Sequence, residues 1–331
     1  MPETARRQLI PRWVTVAQFL PKGGREALAL LVALRRFASG LLFYDSAKVA
    51  KVIREALGIG RISSYRVLFG GEINLARSDM DFADFEKISP ENLRSWAQRH
   101  VSVRDLANFA SALERHPSLI LLSTSFAAHY YGLVAQQTTH LPIERIIVLQ
   151  PNEALRPLQE IGFYDKIRVA SGRRIETIAA DSPYAMLKAI KLLRKGGVAV
   201  ARFDSLPTET NSFLLAKMFG VETAFPSNLL RMAQMTKAAI LPIFIYREDG
   251  AFVTRIGKPV SVSPTAGGAE LQAAATAISE QVEEEIALRP AEYTAWPGYH
   301  DKVRLAREIR LELRDELAAT DGSPARSPGL N

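Results

Sequence analysis

The sequence predicts an α/β fold: a mostly parallel central sheet flanked by helices, behind a helical N-terminal region. Three observations carry that prediction. The runs LILLST, RIIVLQP, VAVARFD and AILPIFIYR are apolar and of strand length, without polar alternation, which is the pattern of strands covered on both faces. Segments of helical spacing, such as YAMLKAIKLLRKGG and NLLRMAQMTK, alternate with these runs, as crossovers between parallel strands require. With 331 residues and 47% hydrophobic content, the chain can bury a large core.

The elements follow in order. The opening MPETARRQLIPRWV does not read as a signal peptide, because no apolar core follows its basic residues. Ala27 to Tyr44 is apolar around most of a helix, with Arg35 and Arg36 in its middle. It is too interrupted to span a bilayer and reads either as a buried helix or as one lying on a membrane surface. Lys48 to Leu57 has helical spacing and stops at Gly58. Ser89 precedes Pro90 and Glu91, a helix start with proline at the first helical position. HVSVRDL reads as a short strand and ANFASALERHP as a helix ended by Pro117. From Leu119 strands take over: LILLST, RIIVLQP, then KIRVA as a third. YAMLKAIKLLRKGG is a helix ended by a glycine pair, with basic residues in its last turn. VAVARFD, the helix NLLRMAQMTK and AILPIFIYR come next, then FVTRIGKPVSV, a strand broken at Gly257-Lys258-Pro259. ELQAAATAISEQVEEEIALRP is a long helix closed at Pro290. Three regions result: 1–115, helical and packed on the core; 116–319, the α/β domain; and 320–331, a disordered tail rich in Gly, Pro and Ser.

Charge and cysteine content narrow the function. The formal charge is +7 and the sequence pI about 9.6, which favours acidic partners such as an acidic carrier protein or anionic lipid headgroups. Nucleic acid is not expected, since zinc-finger spacing, RNA-recognition signatures and basic runs interleaved with aromatics are all missing. Without cysteine, disulfides, thiolate metal sites and cysteine nucleophiles are excluded.

The stretch Leu121 to Gly132, LLSTSFAAHYYG, reads as a buried strand ending at the mouth of a helix. A helix beginning near Ser125 would place Ser125 and His129 on one face. Asp204 ends VAVARFD, at the strand end where α/β ligands bind. Arg202 alternates with Phe203 and is placed to meet an anionic phosphate or phosphopantetheine, or a surface partner. Arg173 and Arg174 open the segment before the YAMLKAIKLLRKGG helix. Of the other histidines, His100 and Asp105 have a suggestive spacing, but on a strand they face opposite sides. His116 reads as a loop residue, and Pro142 between His140 and Glu144 opposes a helix.

Four stretches resemble the bacterial lipid A late acyltransferases, the lauroyl/myristoyl family of the lysophospholipid acyltransferase superfamily, over about residues 45–303. They are LILLSTSFAAHYYG, AMLKAIKLLRKGGVAVARFDSLP, KMFGVETAFPSNLLRMAQMTKAAILPIFIYRED and RPAEYTAWPGYHDK. The resemblance implies a glycerolipid-acyltransferase-like fold. It implies acyl transfer from an acyl carrier protein or coenzyme A thioester to a hydroxyl or amine of a lipid or specialised metabolite. No cofactor or metal is implied beyond that donor. The site expected is cytoplasmic and peripheral to the inner face of the membrane. In the family a histidine deprotonates the acceptor and an acid at the fifth position beyond it orients the imidazole. Those positions fall on Ser125 and Tyr130 here. Three roles remain for His129: a displaced base, a partner activating Ser125 as nucleophile with Asp204 completing the set, or packing beside Tyr130 and Tyr131. Thr124, Tyr130, Arg202 and Arg173 are the expected substrate contacts. A non-catalytic homologue that binds lipid or scaffolds a partner enzyme is the alternative, and a Ser/His acyl-enzyme transferase or hydrolase a further one.

Overall fold

The computed structural model describes residues 12–43, 46–128, 131, 134, 143–160, 162–204 and 213–320. The first third is helical: α1 (Arg12–Ala17), α2 (Lys22–Phe43), α3 (Ser46–Leu57), α4 (Arg61–Lys87) and α5 (Pro90–His100). The alternating part follows with β1 (Val101–Arg104), α6 (Leu106–Arg115), β2 (Ser118–Ser123), β3 (Arg145–Gln150), α7 (Asn152–Glu160), α8 (Phe163–Ser171), β4 (Arg174–Ala179), α9 (Ala185–Leu193) and β5 (Gly197–Arg202). After them come β6 (Phe213–Met218), β7 (Val221–Pro226), α10 (Ser227–Thr236), β8 (Ala239–Glu248), β9 (Ala251–Ile256), β10 (Val260–Ser261), α11 (Gly268–Leu288) and α12 (Trp296–Thr320).

The main sheet runs β1-β9-β8-β2-β5-β3-β4, with β10 also pairing β8. β8, β2, β5, β3 and β4 are mutually parallel, so their C-terminal ends meet along one edge. Each of the four apolar runs lies in this sheet, as the sequence predicts. Their side chains alternate between two cores. Ile120, Leu122, Ile147, Ala199, Ile240 and Phe244 face one core. Leu119, Leu121, Ile146, Val148, Leu241 and Ile245 face the other. A continuous apolar run is what such two-sided burial requires. Gly197 opens β5 at φ 129°, and a Cβ there would lie 2.9 Å from the Arg145 carbonyl oxygen, so glycine is needed where β5 enters beside β3.

Some expectations fail. KIRVA belongs not to a strand but to α8: Phe163, Tyr164 and Ile167 are buried at helical spacing, and Gly172 ends the helix in the left-handed region. The strand is the next segment, RIETIA. FVTRIGKPVSV divides as expected at Gly257, but into two separate strands, β9 and β10. The hairpin β6–β7 is not foreseen; Phe219 and Gly220 both take positive φ at its two-residue turn. β1, from the helical N-terminal region, is an edge strand of the main sheet beside β9. The tail 321–331 lies outside the described residues.

Residues 27–43 lie in α2, and one face of that helix is buried, as the buried-helix reading expects. Ala29 is buried with Ala17, Ala76 and Met80, joining α1, α2 and α4. Leu30, Leu31 and Leu34 are exposed on the other side of α2, and Phe19 is 85% exposed beside them in the chain.

Candidate active site

The site grows out of the C-terminal edge of the parallel strands. Beyond β2, the Thr124 amide donates to the Ile243 carbonyl of β8 at 3.3 Å, and the Phe203 amide donates to the Ser123 carbonyl at 2.8 Å. These bonds extend the ladder past the named strands and bring Thr124, Ser125 and Asp204 together. The Asp204 carboxylate accepts the Ser125 amide at 2.7 Å with one oxygen and the Ser125 hydroxyl at 2.5 Å with the other. Arg202 in turn donates to the Ser125 hydroxyl oxygen, and its guanidinium lies 3.5 Å from Asp204. Ser125 is thus a relay between a cation and an anion. Asp204 and Ser125 are nearly sealed from solvent.

A lysine completes the cluster from below. Lys302 of α12 is buried, donates to the Phe203 carbonyl at 3.0 Å and lies 4.6 Å over the Phe203 ring. Burial lowers its pKa to about 8; Asp204 opposes that shift and Arg202 reinforces it. The buried Thr124 hydroxyl and the Arg202 Nε–H have no hydrogen-bond partner among the described residues. A buried polar group left unpaired costs about 1–3 kcal/mol, so both are placed to gain from a polar ligand atom.

The helix expected from Ser125 does not begin there. Phe126 forms an antiparallel bridge with Tyr293 instead. The Ser125 carbonyl, which would accept the first intrahelical bond, is taken by Thr294, and the amides of the segment are bonded elsewhere. The Ser125 amide goes to Asp204, the Phe126 amide to the Thr124 carbonyl at 2.8 Å, and the Ala127 amide to the Glu292 carbonyl at 2.9 Å. The Ser125 carbonyl accepts both the Thr294 amide and the Thr294 hydroxyl at 2.8 Å. These amides are therefore not free donors for an oxyanion, which the helix-mouth reading would need.

The structure brings Thr124, Ser125, Arg202 and Asp204 together. It separates Arg173 from them. Arg173 precedes Arg174, which pairs with Arg145 at the opposite, N-terminal edge of the parallel strands. Six residues of strand put that edge about 20 Å away. Burial and the nearby Arg94 lower the Arg173 pKa there. His129 and Tyr130 lie outside the described residues. Of the other histidines, His100 bonds the Trp96 carbonyl through Nδ1 at 2.9 Å, while Asp105 faces Arg255. His116 contacts the Lys237 carbonyl and the Ser261 hydroxyl, both at 3.1 Å, in an exposed connection. Sequence reasoning missed Lys302 and Glu292. Both lie in RPAEYTAWPGYHDK, whose signal was present as a motif but carried no spacing that tied it to Ser125.

A family model described as bacterial lipid A biosynthesis acyltransferase matches residues 73–296. No curated protein matches the chain. One solved structure, titled the 1-acyl-sn-glycerophosphate (LPA) acyltransferase PlsC from Thermotoga maritima, is similar at 16% identity, with a TM-score of 0.39. The alignment covers 81% of this chain and 99% of that one.

Proposed function

The chain belongs to the bacterial lipid A biosynthesis acyltransferase family, and from that premise we propose where and how it moves an acyl group. The donor is an acyl carrier protein or coenzyme A thioester, and the acceptor a hydroxyl or amine of a lipid or specialised metabolite. The observation that carries the proposal is the Arg202–Ser125–Asp204 relay, with the Arg202 Nε–H and the Thr124 hydroxyl both unpaired among the described residues. The thioester carbonyl sits against these donors. Its oxygen gains negative charge as the acceptor attacks, and a guanidinium held by a buried carboxylate stabilises that charge without reorganising. The acceptor forms a new C–O or C–N bond, the C–S bond breaks, and the thiol departs. The attacking group's proton needs a base beside the carbonyl. His129 is the candidate from sequence.

A second reading has its own observation. Asp204 accepts the Ser125 hydroxyl at 2.5 Å, an arrangement in which Ser125 attacks the thioester first and carries the acyl group. Intact mass after incubation with dodecanoyl thioesters separates the two. A protein heavier by one acyl group, abolished by Ser125→Ala, supports the acyl-enzyme. Turnover without that adduct supports direct attack. Binding of acyl chains without either marks a non-catalytic homologue.

Two surfaces support the proposed partners. α9 and α10 pack together, and no Asp or Glu occurs at 182–203 or 223–247. Lys188, Lys191, Arg194, Lys195, Arg231 and Lys237 are exposed there around Leu187 and Met235. α9 starts at the strand-end edge that holds Asp204, so an acidic carrier protein docked on this face would deliver its thioester to the site. The exposed leucines of α2, with Lys22 and Arg35 nearby in the chain, suit an anionic lipid surface. Among the described residues no helix is long and apolar enough to cross a membrane. The proposed location is the cytoplasmic membrane face.

A further inference from the structure

The segment between α11 and α12 carries a carboxyl that the Ser125 relay does not use. The Phe126–Tyr293 bridge is antiparallel, with Ala127 bonded to Glu292 and Thr294 to Ser125 on either side of it. Phe126 and Tyr293 are both buried in one core. These backbone bonds hold Glu292 and Thr294 beside Ala127 and Ser125. Ser125 and Glu292 are diagonal neighbours across the bridge.

The charges around Glu292 come from two elements and one connection. Arg77 and Asp81 lie on α4, Arg247 on β8, and Arg289 just beyond α11. The arginines are already engaged. Arg77 pairs with Glu26, Arg247 with Asp81, and Arg289 with Glu285 and Glu248. Among the described residues the Glu292 carboxyl makes no hydrogen bond or ion pair of its own. Its carboxyl is half-buried, and the buried Tyr131 hydroxyl near the same Asp81 and Arg247 is also unpaired among the described residues. Burial raises the Glu292 pKa to about 7, against the pull of the three arginines.

Resting on the acyl-transfer reading above, we infer that Glu292 is the base that takes the acceptor's proton. The ionised carboxylate accepts the proton of the acceptor O–H or N–H as that atom bonds to the thioester carbonyl carbon. When the C–S bond breaks, the departing thiolate takes the same proton from Glu292. The products are an ester or amide and a free thiol, and the carboxylate is restored. A carboxyl poised near neutrality can perform both transfers at physiological pH.

The test uses the full chain with dodecanoyl thioesters of acyl carrier protein and of coenzyme A as donors, and a bacterial membrane lipid extract as acceptor. Thiol release and acylated lipid are both measured. Glu292→Gln keeps size and shape; it is expected to lower kcat about 10²–10⁴-fold with an unchanged fold by circular dichroism. Glu292→Asp should recover part of that loss. The wild-type kcat/KM should rise with pH through a limb near 7, and that limb should be absent from Glu292→Gln. An active wild type with an equally active Glu292→Gln overturns this inference alone. So does loss of activity in His129→Ala with Glu292→Gln unaffected. A wild type inactive with both donors overturns the acyl-transfer reading and this inference with it.

Discussion

At the scale of single residues, stability and activity respond with opposite signs. The Thr124 hydroxyl is buried without a partner among the described residues, so Thr124→Val should stabilise the folded protein by about 1 kcal/mol while raising the KM for the acyl donor. Chemical denaturation and steady-state kinetics on the same variant check both; a destabilised Thr124→Val would show that the hydroxyl is already satisfied. Glu292 offers a pH test that needs no substrate. Its ordinary value of 4.5 is raised to about 7 in the fold. The native state therefore holds the proton more tightly than the unfolded state, and stability is lost as pH rises from about 4.5 to about 7. Wild type should lose up to about 3 kcal/mol relative to Glu292→Gln across that window, read from denaturation midpoints at each pH. Parallel curves would mean that Glu292 is solvated and ordinary. Ser125, Arg202, Asp204 and Thr124 were legible in the sequence because a strand end announces itself by its apolar run. Lys302 and Glu292 were not, because they reach the site from a C-terminal segment that no local pattern ties to β2. The helix start at Ser125 was misread, because Thr294 claims the Ser125 carbonyl that a helix would have used.

At the scale of elements, α2 and the α9–α10 face make separate predictions. The protein should sediment with anionic liposomes at low salt and be released at high salt, since attraction between exposed charges is screened. Replacing Leu31 and Leu34 by Asn should abolish that sedimentation without unfolding the chain, because both are exposed. Unchanged sedimentation would remove α2 from the membrane contact. On the other face, Lys188→Glu with Lys191→Glu should raise KM for an acyl carrier protein thioester about tenfold or more and leave KM for the coenzyme A thioester nearly unchanged. Equal effects on the two donors would count against carrier docking there. Elements with one clear period were read correctly. α8 was not: KIRVA, taken alone, has strand composition, and only the burial of Phe163 and Tyr164 ahead of it reveals the helical spacing. The β6–β7 hairpin was hidden because Phe-Gly is not a usual turn pair, and because Leu214 and Leu215, adjacent in β6, are both partly buried.

At the scale of the whole molecule, five parallel strands bring residues distant in sequence to a common edge. Thr124 and Ser125 arrive from β2, Arg202 and Asp204 from β5, and Glu292 from the segment before α12. The architecture was legible because two-sided burial leaves an unmistakable sequence pattern; the direction of approach of the C-terminal segment leaves none. The central claim is that acyl transfer occurs at this edge. Its most direct test is transfer of a radiolabelled dodecanoyl group from the carrier-protein thioester to a bacterial lipid extract, by wild type and by Arg202→Gln in parallel. The account predicts labelled lipid from the wild type and a rate about 10²–10³-fold lower from Arg202→Gln. Labelled lipid formed equally by both proteins, or by neither, would contradict it.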